Sequence, residues 1–168
     1  MALPRYILRD CTIFVDGDSK IGQASEITLP VPTEKYEEVR NCGMIMPIEV
    51  PMGYEKLDAS FKMTAVDPQV LSLFGIGIGA TTSFMVTGAL VDEDGTVTQA
   101  IAYMQGRLSK TDPGTWKTGE ASPLSLEMSI RYYSLEIGGV PVLSMTPFRI
   151  VTPGGAAWDA ISDALMVS

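Results

Sequence analysis

The chain has 168 residues, enough for one domain with a sizeable core, and 46% hydrophobic against 19% charged residues excludes a disordered chain. It contains no histidine, which removes Ser-His-Asp and Cys-His catalysis together with the common zinc sites. Twenty acidic against 12 basic residues leave a net charge of −8, which argues against binding nucleic acid, whose phosphates would be repelled.

Strand patterns dominate from the start. Cys11 to Val15 and Ser19 to Ala24 flank Asp16-Gly17-Asp18, a hairpin turn. Thr33 to Arg40 is polar with β-compatible spacing, Asn41 to Pro47 is a Gly, Met and Pro loop, and Ile48 to Met52 is extended. Lys56 to Ala65 alternates without error, with Leu57, Ala59, Phe61, Met63 and Ala65 on one side, and this predicts a half-buried strand. Asp67 suits a helix N-cap, Pro68 the first helical position and Gly75 the exit, so a short helix packs Val70, Leu71 and Phe74 onto the sheet.

The second half repeats the sheet pattern. Ser83 to Val91 and Thr96 to Lys110 flank the hairpin loop Asp92-Glu93-Asp94-Gly95, and Asp112 to Glu120 is a turn-rich loop. Leu124, Leu126, Met128, Ile130 and Tyr132 mark one face of a long strand, after which the apolar set changes parity to Tyr133, Leu135 and Ile137. A bulge near Tyr132-Tyr133 accounts for the change. Gly138-Gly139 turns into a strand over Val140 to Met145. Trp158, Ile161 and Leu165 have the spacing of a short amphipathic helix over Ala156 to Met166. The expected architecture is mainly β, an antiparallel sandwich or barrel-like fold in one domain over residues 1–168.

Chemical motifs fail on inspection. Gly75-Ile76-Gly77-Ile78-Gly79-Ala80 matches a dinucleotide pattern formally, but it follows a helix and precedes a strand, the reverse of what pyrophosphate binding requires. Asp92, Glu93 and Asp94 lack the ligand spacing of a calcium loop, and Glu37-Glu38 point to opposite faces of a strand. No catalytic residue, cofactor or metal site is expected. No run approaches the roughly 20 apolar residues of a membrane helix, so no membrane partner is expected. Met-Ala-Leu-Pro-Arg at the start lacks an apolar signal core, so the expected compartment is a cytoplasm. There Cys11 and Cys42 are expected as free thiols, Cys11 as a small hydrophobe in a strand.

Two loops stand out. Trp116, amid polar turn residues, either tucks over the sheet edge or is offered to a partner. Met44, Ile45 and Met46, between Gly43 and Pro47, form an apolar loop tip of the kind that packs against another subunit.

Asp112-Pro113-Gly114-Thr115-Trp116-Lys117-Thr118-Gly119-Glu120 resembles the Asp-Pro-Gly-x-Trp-Lys-x-Gly-Glu signature of the major tail tube proteins of contractile-tailed phages and related bacteriocins and injection systems. The similarity extends along nearly all of the chain. Ile13-Phe14-Val15-Asp16-Gly17 is similar to the family's first hairpin, and Thr28-Leu29-Pro30 to its next strand. Glu37, Arg40, Gly43, Met44, Pro47 and Glu49 fall at the spacing of its long protruding hairpin. Gly53 to Ala59 and Tyr132 to Leu135 are similar to later segments. Cys42 stands where the pattern has glycine, and the match is poor from Pro153 onward.

The resemblance implies a non-enzymatic subunit that self-assembles into stacked hexameric rings. It implies as partners a tail sheath protein and the baseplate hub, tape measure and tail terminator proteins. DNA or an effector would cross the lumen without specific binding, in a virion tail assembled in the bacterial host cytoplasm. Arg40, Gly43, Met44, Ile45, Met46, Pro47 and Glu49 are the candidates for contact between rings, and Asp112, Pro113 and Trp116 for a structural or subunit contact. A soluble small-ligand-binding β-barrel is the alternative, and it requires a closed barrel. A sheath or baseplate component is a nearer alternative, although sheath subunits are usually longer.

Overall fold

The computed structural model of the chain describes residues 5–154 and 159–166. Its strands are β1 (Ile7–Val15), β2 (Asp18–Ser19), β3 (Ala24–Thr28), β4 (Glu34–Val39), β5 (Ile48–Tyr54) and β6 (Leu57–Met63). After the helix α1 (Pro68–Leu71) come β7 (Thr82–Val91), β8 (Val97–Asp112), β9 (Leu124–Ile137), β10 (Val140–Met145), β11 (Ile150–Val151) and the helix α2 (Asp159–Ala164).

Nine strands form one antiparallel sheet in the order β11-β10-β9-β8-β7-β1-β2, with β6 also on β9 and β3 on β6. The spine is β9. One of its edges pairs with β8, while the other carries β6 against Leu124 to Ile130 and β10 against Tyr133 to Ile137. The change of partner coincides with the parity switch seen in the apolar residues. Gln105 pairs with Tyr132 and Gly106 with Ile130, so Arg131 is the extra residue of a bulge. The expected bulge is present, one residue earlier than the apolar pattern implied. Beyond it Tyr133 is buried, and burial pushes its hydroxyl above the ordinary pKa range.

Gly106 is obligatory at this point. A Cβ there would lie 2.1 Å from the Ser129 carbonyl oxygen and 3.0 Å from Ile130 Cα, both backbone atoms. At the first hairpin, Asp16 and Gly17 both have positive φ, as a two-residue type I′ turn requires. The second strand of that hairpin stops at Ser19, because residues 20–23 turn, and the chain re-enters the sheet at Ala24.

The sheet curls over its own core. The Phe61 and Phe84 rings, on β6 and β7, are 6.2 Å apart, although β9 and β8 separate those strands in sheet order. Leu57, Ala59, Phe61 and Met63 are buried as the alternation predicts, and they meet Leu124, Leu126, Met128 and Ile130. Each large side chain of this set contributes roughly 1.5–3 kcal/mol by its burial. Ala65 lies beyond the strand and is exposed. No ladder joins β2 to β3, so the sheet is not a closed barrel and the alternative that needed one falls.

Asp67 caps α1 by accepting from the Gln69 N–H, and Val70 is fully buried. Phe74 differs from the expectation, being 52% exposed, because the helix ends at Leu71 and Leu73 packs on the core instead. The same cap closes a buried ion pair. Lys20 Nζ lies 2.8 Å from Asp67 Oδ2 and 2.7 Å from Gln69 Oε1, while Gln69 also donates to Asp18. α2 covers less than expected: Ile161 and Leu165 are both largely exposed, and Ala156 to Trp158 lie outside the described residues.

Candidate assembly surfaces

β4 and β5 form a two-stranded ribbon that joins no other strand among the described residues. Its register runs from Glu34 opposite Tyr54 to Val39 opposite Ile48. Among the described residues its two strands pair only with each other, and Tyr36, Ile48 and Met52 are left exposed on it. Glu38 stands directly opposite Glu49, two like charges on one face of the ribbon, where such a pair is unfavourable. On the same face the Tyr36 hydroxyl donates to Glu34. That hydrogen bond, the Glu34 charge and the more distant Glu49 charge hold the phenol above its ordinary range.

The tip spans residues 40–47. Gly43 has φ of +89°, and the Met44 N–H donates to the Asn41 carbonyl at 3.1 Å. Arg40 Nε donates to the Met44 carbonyl at 3.4 Å. Met44 itself turns inward, its sulfur accepting from the Asn41 N–H at 3.3 Å. Ile45 is 95% exposed and Met46, Pro47 and Glu49 are exposed as well. The apolar tip therefore does not fold back onto its own sheet. The expected trio divides into one methionine that braces the loop and two side chains presented outward.

Two side-chain hydrogen bonds brace the loop after β8. Asp112 Oδ1 accepts from the Gly114 N–H at 2.9 Å, and Ser122 Oγ donates to the Pro113 carbonyl at 2.7 Å. Trp116 is 75% exposed on this frame, near Val66, so it is not tucked over the edge. Cys11 and Cys42 are both free thiols, and Cys11 lies in β1 as expected, but both are exposed, so Cys11 does not pack as a small hydrophobe.

Other exposed apolar residues had no distinguishing signal. Ile78 lies on the glycine loop that the Arg107 guanidinium holds through the Ile76 carbonyl, and Phe148 lies between β10 and β11. Isolated in Gly- and Pro-rich stretches, both read as ordinary loop residues. Among the described residues no group of three or more Cys, Asp or Glu is arranged to hold a metal ion. Among the described residues no helix is long and apolar enough to cross a membrane.

The family model for phage tail tube protein FII matches residues 4–153. The chain belongs to the phage tail tube family. The matched region ends where the sequence pattern weakens, at Pro153. Among curated relatives, the chain is 29% identical over 147 residues to the major tail tube protein of Serratia phage KSP20, covering 86% of this chain and 84% of that one. It is 24% identical over 155 residues to the tail tube protein of Escherichia phage P2, covering 90% of each. A chain in the sixfold-symmetrised baseplate of the anti-feeding prophage aligns at 14% identity over 81% of this chain and 95% of that one. Its TM-score of 0.44 is too low to establish a common fold. The tail tube family is structural rather than enzymatic.

Proposed function

We propose that this tail tube protein assembles as one domain into hexameric rings that stack into a hollow conduit inside a contractile sheath. DNA or an effector passes through the lumen. The tube starts on a baseplate hub, takes its length from a tape measure protein, ends at a terminator protein and is built in the host cytoplasm. The carrying observation is the β4-β5 ribbon, which pairs with no other strand among the described residues and presents Ile45 and Met46 to solvent. A monomer gains nothing by keeping such a tip uncovered, whereas an assembly buries it once per subunit.

In this reading the ribbon tip, from Arg40 to Pro47 with Glu49, contacts the next ring. Trp116, on the frame built by Asp112 and Pro113, is a subunit contact. The open edges of the main sheet supply pairing groups for neighbours around the ring. The net charge of −8 suits a conduit to which DNA does not adhere. Light scattering behind size-exclusion chromatography, with negative-stain micrographs, tests the assembly. Rings or tubes are expected at some concentration, and a strict monomer across all concentrations, salts and temperatures would overturn the reading.

A further inference from the structure

An apolar cleft of about 550 Å³ lies at the root of the β4-β5 ribbon, between β9, the segment joining β10 to β11, and α2. Tyr54, Leu57, Ile130, Phe148, Ile161 and Leu165 supply its apolar wall, and Phe148 and Leu165 are mostly exposed. Three of the chain's 12 cations, Lys56, Arg131 and Arg149, stand around it. Lys56 pairs with Asp58 at 2.9 Å and Arg149 approaches Asp159 at 3.7 Å, whereas Arg131 has no carboxylate partner among the described residues.

Resting on the assembly reading, we propose that this cleft is the socket for the ribbon tip of a second copy of the chain, with Ile45 and Met46 entering it. The charge pattern is complementary. The ribbon carries Glu34, Glu37, Glu38 and Glu49 against Lys35 and Arg40, in a chain where cations are scarce. Glu38 and Glu49 face each other one pair back from the tip, so their repulsion is relieved when a cation such as Arg131 arrives beside them.

A chain cannot fill its own socket. Tip and cleft lie at opposite ends of the ribbon, on the order of 17 Å apart at strand spacing, and the register of six pairs keeps the ribbon extended. Each copy thus offers one tip and one socket that face different neighbours. Such a contact is heterologous and propagates from copy to copy instead of closing on a pair.

Cys42, exposed at the tip, gives a direct test. In a Cys11→Ser background, Ser162→Cys puts a thiol on the socket wall, and Thr118→Cys puts one on the distant Trp116 loop. Under mild oxidation of assembled protein, Ser162→Cys is expected to give ladders of disulfide-linked chains at least tenfold above Thr118→Cys, and to lose them in Cys42→Ser. Phe148→Asp, at an exposed position, is expected to leave the melting temperature unchanged and to abolish the ladder. Intramolecular cross-linking alone would overturn the socket. So would normal rings and tubes that show no ladder and are unaffected by Phe148→Asp; that result removes the socket and leaves the assembly reading standing. Failure of the unmodified protein to form anything larger than a monomer would remove both.

Discussion

Asp67→Asn separates the two duties of Asp67, because asparagine caps a helix about as well as aspartate but cannot neutralise Lys20. The Lys20 side chain is only 6% exposed and Asp67 15%, so the variant leaves a cation in the interior with Gln69 Oε1 as its remaining acceptor. Removing one partner of a buried pair costs about 3–5 kcal/mol, and the surviving hydrogen bond puts this case near 3. In a chain of this size that corresponds to a melting temperature lower by roughly 6–12 °C. Lys20→Met is milder, about 1 kcal/mol, since Asp67 keeps the Gln69 N–H and some contact with water. The double variant should lie close to Lys20→Met alone, because no unpaired charge is left inside.

Acid adds a second readout. The hydrogen bond from Lys20 holds the Asp67 carboxyl below its usual range, helped by backbone N–H groups and opposed by burial. A carboxyl so depressed stabilises the fold while it is ionised. The advantage of the parent protein over Lys20→Met should therefore be constant above about pH 5 and shrink as pH falls below the unfolded value of about 3.9. Thermal melts of the four proteins between pH 2.5 and 7 test the scheme. An Asp67→Asn protein melting within 2 °C of the parent at pH 7 would refute the buried-pair argument.

Gly106→Ala should lower stability by more than about 3 kcal/mol, because its Cβ meets backbone rather than a side chain that can move; a urea midpoint showing less than 1 kcal/mol would disprove the close approach. Trp116→Ala should change folding stability by no more than about 0.5 kcal/mol at so exposed a site, while raising the concentration needed for assembly. A clear fall in melting temperature would make it a core residue, and unchanged assembly would show that it anchors no contact.

The alternation from Leu57 to Met63 and a parity change within β9, though not its place at Arg131, were readable because a strand side chain has two faces and the core takes one. Phe74 was misread for a related reason. Helical spacing says which face a residue would share only while the helix lasts, and α1 is four residues long. Lys20 was illegible because its burial depends on a carboxylate 47 positions away, supplied by a cap whose other role is local. The ribbon was visible as a polar strand and an extended segment around a Gly-Met-Pro loop, but neither pattern says whether strands join a sheet edge or stand clear of it. The socket left no trace, since its wall is assembled from four separated stretches of chain that are each unremarkable.

The order in which β1 and β7 leave the ribosome constrains how the fold is reached. Apart from two residue pairs with β2, β1 finds its ladder on β7, and the Tyr6 N–H at its start bonds to Asp92 Oδ1 86 residues later. At roughly 5–20 residues per second, the nascent chain carries most of β1 unpaired for several seconds. The β7-β8-β9-β10 meander, whose strands follow one another in the chain, can close quickly once made and supplies the surface on which β1 and β6 settle. Substitutions that make β1 more apolar would thus aggravate aggregation during synthesis without altering the finished sheet, and a chaperone that shields this strand would raise the yield of soluble subunits.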